Sequence, residues 1–149
     1  GVDGVIVADL PSDESGPLLD VCNPNGIHII PLLAPTSTGQ RVEKACRVAS
    51  GFIYCVSLMG VTGARDDLPG GVFQLIERVR WHTDLPLAVG FGVSDAAHVR
   101  EIGLRAEAAI VGSALIDAIA KGSSGNHVEL ASRFVAGLAR GAGERVRSR

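Results

Sequence analysis

Short apolar stretches alternate with amphipathic segments along the whole chain. Consecutive apolar positions rich in β-branched residues, typical of parallel strands covered on both faces, occur at 5–8, 27–33, 52–56, 87–89 and 108–111. Helical spacing of apolar positions fills the intervals at 13–21, 40–49, 72–81, 94–102, 113–121 and 127 to about 139, with Ser94 as an expected N-cap. Strand and helix in strict alternation predict a parallel sheet with right-handed crossovers.

Length and composition predict one domain with a buried core. The 149 residues fall well short of the ~250 of a complete (β/α)₈ barrel, and 46% of them are hydrophobic. We expect a core over 1–121, a linker over 122–125, and a final helix with a basic tail over 126–149. The formal net charge of −2 gives no field for holding a polyanion, so we expect no nucleic acid partner.

Several other classes of protein are not supported by the sequence. No apolar run approaches the ~20 residues of a membrane span, so we expect a cytoplasmic chain with no membrane partner. Cys22, Cys46 and Cys55 form no CxxC pair, so we expect neither a metal site nor a disulfide framework. Because Gly1 is followed almost at once by a strand-like run, we expect the sequence to begin inside a fold.

Ligands of parallel α/β folds bind at the carboxyl ends of the strands, and here those ends are rich in glycine. The segments 90–92 and 112–113 each precede a predicted helix, so two sets of amide groups would point at one anion, for which phosphate is the natural candidate. The alternative is that these glycines only make tight turns.

The long segment 57–69 is either a lid, with Gly60 and Gly63 as hinges, or a plain surface loop. Tyr54 is either a core residue or a pocket wall.

The residues themselves show no machinery for proton transfer. Asp9 stands alone at a strand end, whereas a general acid and base would need two groups there. The histidines His28, His82, His98 and His127 are scattered, and we interpret each as a surface residue or as satisfied by packing.

Several runs in order along the chain resemble the α chain of tryptophan synthase. They are GVDGVIVADLP at 1–11, LAPTS at 33–37, SGFIY at 50–54, GVTGAR at 60–65, DLPLAVGFGVS at 84–94 and IVGSA at 110–114. This resemblance extends from Gly1 to about Lys121. It implies a TIM (β/α)₈ barrel, present here as a partial barrel of about five parallel strands, the fourth to the eighth, with flanking helices. It also implies a lyase of tryptophan biosynthesis that cleaves indole-3-glycerol phosphate to indole and glyceraldehyde 3-phosphate.

The same resemblance assigns site residues and a partner. It implies that the substrate phosphate is held by Gly63, Phe91, Gly92, Gly112 and Ser113. It further implies that Thr62 helps close the lid and that Tyr54 lines the substrate pocket. Leu58 stands where the family often has arginine. The implied partner is a β chain in a heterotetramer, and pyridoxal phosphate is expected only there, with no cofactor in this chain.

One departure from the family bears on activity. The catalytic glutamate and aspartate of the family belong to its second strand and the following loop, and no similar run occurs here, so we expect no catalytic residue in these 149 residues and no lyase activity from them alone. An arc with two unpaired edges is also expected to be poorly stable.

Three alternatives remain open. The first is another phosphate-binding TIM-barrel enzyme, such as an isomerase of histidine or tryptophan biosynthesis or an aldolase. The second is a non-catalytic phosphate-binding fragment. The third, a phospho-receiver domain, needs an aspartate and a lysine where this chain has Ser57 and Gly112.

Overall fold

The computed structural model describes residues 1–57, 70–90, 92–122 and 125–143. The strands are β1 (Gly4–Val5), β2 (His28–Ile29), β3 (Leu32–Leu33), β4 (Ile53–Val56), β5 (Leu87–Gly90) and β6 (Ala108–Ile110). The α-helices are α1 (Gly16–Cys22), α2 (Gly39–Val48), α3 (Gly70–Arg80), α4 (Ala96–Gly103), α5 (Ser113–Ala120) and α6 (His127–Ala142), and 3₁₀ turns occupy Ser12–Glu14 and Asn23–Asn25. The predicted alternation of strand and helix is therefore confirmed.

All pairs among the described strands are parallel, and the strands form an arc. β1 pairs with β2, while β3, β4, β5 and β6 pair in that order. The predicted strand over 27–33 contributes to both groups, because the Ile30 N–H donates to the Val5 carbonyl on one side and the Tyr54 N–H donates to the Pro31 carbonyl on the other. Pro31, which has no N–H to donate, lies between the two halves. Five chain segments thus build the partial barrel that the sequence predicts.

The first strand is shorter than predicted. Residues 5–8 were expected to be extended, but β1 ends at Val5, and Ile6 and Val7 are 46% and 40% exposed. Among the described strands β1 pairs only with β2, and β2 is itself two residues long, so the ladder ends after two residues.

One face of the sheet packs against the helices. Strand residues that alternate along β3, β4 and β5 are fully buried there: Leu33, Ile53, Cys55, Leu87 and Val89. Helix residues belong to the same cluster: Val42 from α2, Val72, Leu75, Ile76 and Val79 from α3, and Ile102 from α4. Burial of this kind stabilises by roughly 1.5–3 kcal/mol for each large aliphatic side chain, so this cluster holds the strands in register.

The opposite face of the sheet carries small residues around one aromatic ring. The register aligns Tyr54 on β4 with Ala88 on β5 and Ala108 on β6, and the next row aligns Val56 with Gly90. A Cβ on Gly90 would lie 2.1 Å from the Tyr54 hydroxyl oxygen, so the phenol occupies the space that glycine leaves. Tyr54 therefore points away from the helix-packed cluster and forms a wall on the other face.

A charged cluster joins β5 and β6 at their amino-terminal ends. Arg80, the last residue of α3, donates through Nη2 to both carboxylate oxygens of Glu107 and through Nη1 to the Leu85 carbonyl. The Leu87 N–H donates to Glu107 Oε2 at 2.7 Å. Burial raises the pKa of Glu107, but the hydrogen bonds from Arg80 and Leu87 together with the Arg80 charge outweigh it, so the net pKa lies below its ordinary value.

The last helix, α6, packs closely against α4. A Cβ on Gly141 would lie 2.1 Å from the Ala96 carbonyl oxygen, so the two helix backbones approach each other at this glycine. The helix extends to Ala142, three residues beyond the predicted end. The predicted domain boundaries remain a prediction, and residues 123–124 and 144–149 lie outside the described part of the chain. None of the helices that the structure describes is long and apolar enough to cross a membrane.

Candidate functional site

A cleft of about 200 Å³ opens at the carboxyl ends of β4, β5 and β6. Its lining consists of Tyr54, Gly92, Val93, Ile110, Gly112 and Ser113. Of these, Tyr54, Gly92, Gly112 and Ser113 are residues that the sequence singled out as binding residues. The two glycine turns, 20 residues apart in sequence, therefore lie on the same side of the molecule and beside the predicted pocket wall.

The remaining predicted site residues cannot be placed in this cleft. Gly63, Thr62 and Phe91 lie outside the described residues, as does Leu58. Their roles stay predictions that follow from the family resemblance.

The turn before α5 offers main-chain donors. Gly112 is the N-cap residue and makes no side-chain cap, and its carbonyl accepts the N–H groups of Leu115 and Ile116 at 3.0 and 3.2 Å. The first amides of a helix have no carbonyl partner within the helix, and the helix dipole favours an anion beside them. A Cβ on Gly112 would meet nothing within 4 Å, so the space beside this turn is open. The exposed Ser113 adds a hydroxyl at the same point.

The turn before α4 differs from the sequence prediction. The N-cap is Asp95 and not Ser94: the Asp95 carboxylate accepts the His98 N–H at 2.9 Å, and the Ser94 N–H donates to His98 Nδ1 at 3.4 Å. The Ser94 and His98 amides at this turn are therefore already bonded within the protein, and the helix begins one residue later than predicted, although serine and aspartate are about equally good caps. What this turn contributes to the cleft is Gly92 and Val93. Gly92 has a φ of +82°, a conformation that favours glycine.

The chemistry of the lining is neutral. Burial raises the pKa of the Tyr54 phenol, so its hydroxyl remains protonated at neutral pH. Ser57, which follows β4, donates its N–H and its hydroxyl to the Gly90 carbonyl and ties the end of β4 to β5. Among the described lining residues there is no lysine or arginine, so main-chain amides and the Ser113 hydroxyl would have to hold an anion.

Sequence reasoning missed some residues that shape this cleft. Val93 and Ile110 line it, and Asp95 caps the adjoining helix. Strand alternation carries a signal for Ile110, because it lies two positions along β6 from Ala108 in the Tyr54 row. The preference of aspartate for N-caps was the missed signal for Asp95.

Possible acids, bases and metal ligands do not gather at the cleft in the described residues. Asp9 is exposed, as are His28, His82 and His127, whereas His98 is buried with 4% exposure. No three histidine, cysteine, aspartate or glutamate side chains within the described ranges are placed to hold a metal ion.

The parallel arc, covered by helices on one face and carrying a glycine-lined cleft at its carboxyl ends, is part of a TIM barrel. The family model of the tryptophan synthase alpha chain matches residues 1–141. The chain therefore belongs to the tryptophan synthase α-chain family.

Individual relatives agree. The chain is 50% identical over 135 residues to the tryptophan synthase alpha chain of Roseiflexus castenholzii, covering 91% of this chain and 52% of that one. It is 37% identical over 150 residues to the tryptophan synthase of Saccharomyces cerevisiae, covering 21% of that protein.

Solved structures give the same result. The tryptophan synthase α₂β₂ complex of Pyrococcus furiosus contains a chain matched with a TM-score of 0.84 at 33% identity, over 94% of this chain and 56% of that one. A Mycobacterium tuberculosis tryptophan synthase is matched with a TM-score of 0.80 at 35% identity, over 95% of this chain and 51% of that one. The chain thus spans about half the length of the bacterial relatives that it matches.

Proposed function

We propose that this chain belongs to a tryptophan synthase α subunit that cleaves indole-3-glycerol phosphate to indole and glyceraldehyde 3-phosphate, and that these residues supply its phosphate-binding side. The observation that carries the proposal is the convergence of Tyr54, Gly92, Gly112 and Ser113 on one cleft in a chain of this family. The fold alone would not suffice, because barrels of this type host many reactions.

The lining suits a phosphate ester that also carries an aromatic ring. Amides and a hydroxyl at the amino end of α5 can donate to phosphate oxygens, and the missing Cβ atoms of Gly92 and Gly112 let the anion come close. The ring of Tyr54 and the side chain of Ile110 offer apolar surface to an indole. Gly63 and Phe91 would complete the phosphate contacts, and Thr62 would help close the lid.

These 149 residues alone are proposed to bind this ester without cleaving it. Retro-aldol cleavage needs a group to take and deliver a proton, and the charged residue nearest in sequence to the lining is Asp95, whose carboxylate caps α4. The glutamate and aspartate expected from the family have no counterpart in the sequence.

The proposed partner is a tryptophan synthase β chain, in a heterotetramer in the cytoplasm. Support comes from the α₂β₂ complex of the Pyrococcus furiosus relative. In such a complex the β chain would receive the indole and hold pyridoxal phosphate, and no cofactor is proposed for this chain.

Indole release and ligand binding test the proposal together. The 149-residue chain is expected to bind an indole-3-glycerol phosphate analogue more tightly than other sugar phosphates and to release no indole from the substrate. A fusion that places the preceding part of the Roseiflexus castenholzii α chain before Gly1 is expected to release indole.

Each part of the proposal has a contrary result. Indole release by the 149-residue chain would refute its inactivity. A fusion that folds and remains inactive, together with equal binding of unrelated sugar phosphates, would favour another phosphate-binding barrel enzyme or a non-catalytic fragment.

A further inference from the structure

We propose that His98 is a positioning residue for the phosphate-binding turn, which comprises residues 92–95. This inference rests on the proposed function, since it assumes that the cleft holds a phosphate. It assigns a role to a buried imidazole that neither lines the cleft nor belongs to the charged cluster of Arg80 and Glu107.

His98 contacts the turn through both its ring and its main chain. The imidazole Nδ1 lies 3.4 Å from both the Ser94 amide nitrogen and the Ser94 Oγ. The same nitrogen lies 3.6 Å from Asp95 Oδ2, and the His98 N–H donates to Asp95 Oδ1 at 2.9 Å. His98 is 4% exposed, whereas Ser94 and Asp95 are exposed, so the imidazole holds the turn from its buried side.

In the contact with the main chain, the Ser94 N–H is the donor and the imidazole Nδ1 is the acceptor. Ser94 is exposed and this hydrogen bond is part-buried, so losing the acceptor removes the net contribution of one hydrogen bond. His98 thus holds the Ser94 N–H toward α4.

Holding Ser94 also restrains the cleft lining. Gly92 and Val93 line the cleft directly before Ser94, and Gly92 has a φ of +82°. Because glycine can adopt many backbone conformations, the conformation of Gly92 depends on contacts made by the residues that follow it, here Ser94. With the imidazole acceptor in place the turn keeps one conformation. Binding of the anion then does not include the entropic cost of ordering the turn.

The turn at Gly112 and Ser113, on the other side of the cleft, does not depend on the contact between His98 and Ser94. Gly112 and Ser113 begin α5, and no side chain within the described part of the chain caps this helix. Loss of the His98 acceptor should therefore weaken phosphate binding without abolishing it. One hydrogen bond corresponds to a change of roughly two- to tenfold in the dissociation constant.

The test compares three variants of the full 149-residue chain, with inorganic phosphate as the probe. His98→Leu fills the buried space without an acceptor, and His98→Asn returns an acceptor near the position of Nδ1. His82→Leu is the matched control, because His82 is exposed and follows α3 at the opposite end of the barrel. The phosphate dissociation constant comes from amide chemical-shift titration, and urea unfolding reports the stability of each variant.

We expect phosphate to bind His98→Leu roughly two- to tenfold more weakly than the unsubstituted chain, as one lost hydrogen bond requires. His98→Asn and His82→Leu should bind normally. Equal affinity of His98→Leu and the unsubstituted chain would overturn the inference while leaving the proposed function intact. If His98→Leu does not fold, a folded His98→Asn variant with weakened binding would overturn it. Absence of phosphate binding by the unsubstituted chain would overturn the proposed function itself, and this inference with it.

Discussion

The two ends of the sheet are built from opposite kinds of residue. At the amino-terminal end, the Ile53 N–H donates to the Pro86 carbonyl, and the Arg80 guanidinium and the Glu107 carboxylate bond the backbone at Leu85 and Leu87. At the carboxyl-terminal end, glycines and a serine surround open space, and the Gly112 turn has no side-chain cap.

Because the two ends differ in this way, residues at the amino-terminal end should affect the free energy of unfolding, and residues at the carboxyl-terminal end should affect ligand binding. Polar groups at the amino end already have protein partners, so their substitution should change the free energy of unfolding. At the carboxyl end the first amides of α5 have no side-chain cap, and ligands of barrels with this fold bind at that end. Substitutions at the two ends should therefore change different measurements, and the predictions below start from the largest effect.

Leu87→Ala should be the most damaging change at the amino end. Leu87 begins β5, is fully buried in the helix-packed cluster, and leaves a cavity when truncated, so we expect a loss of about 3 kcal/mol in the free energy of unfolding. Urea denaturation measures it. The control is Ile116→Ala at a side chain that is 67% exposed, where less than about 1 kcal/mol is expected. Similar losses in both variants would show that the cluster is not the stabilising core.

Gly90→Ala tests the carboxyl end of β5, where the Tyr54 ring lies against the glycine. The new Cβ would overlap the Tyr54 hydroxyl and ring, so Tyr54 must move, and we expect a loss of about 2 kcal/mol in the free energy of unfolding. Phosphate binding should weaken too, because Tyr54 lines the cleft. Gly103→Ala is the matched control: its Cβ would meet nothing within 4 Å, and alanine favours the helix. A neutral Gly90→Ala would mean that Tyr54 is not confined by this glycine.

Most of the fold could be predicted because hydrophobic pattern governs it. Both faces of a strand such as β5 are apolar or small, and that pattern distinguishes buried parallel strands from helices. The early end of β1 and the extension of α6 to Ala142 could not be predicted. Strand length depends on neighbouring strands, and the end of α6 depends on its packing against α4 at Gly141.

The cleft was predictable in its glycines and less so in its polar contacts. A glycine turn before a helix indicates an anion site from local sequence alone, and Gly92 and Gly112 do line one cleft. Which amides remain available depends on capping, and the competition between Ser94 and Asp95 was resolved in favour of Asp95. The contact between Ser94 and His98 depends on the ring orientation, which sequence spacing does not reveal.

Ser113→Asp should separate binding from stability at the carboxyl end. A carboxylate in the first turn of α5 repels a bound phosphate, so we expect the phosphate dissociation constant to rise by at least about tenfold. The same charge suits the helix dipole, so the free energy of unfolding should stay equal or rise by up to about 1 kcal/mol. Calorimetric titration and urea unfolding measure the two quantities. The uncharged Ser113→Asn should weaken binding less, and equal binding by all three chains would place the anion elsewhere.

Glu107→Gln should give the smallest effect, on stability alone and with a defined pH dependence. The pKa of Glu107 is lower in the folded chain than in the unfolded chain, so its ionised form contributes stability above the unfolded value, and this is lost as pH falls through the folded value. We expect the variant to lose about 1 kcal/mol at pH 7, because the site is half-exposed, and to match the unsubstituted chain in acid. Urea unfolding between pH 3 and 7 measures this, with the exposed Glu14→Gln as control. A gap between the two chains that is constant with pH would mean that packing, and not the charge on Glu107, stabilises this end.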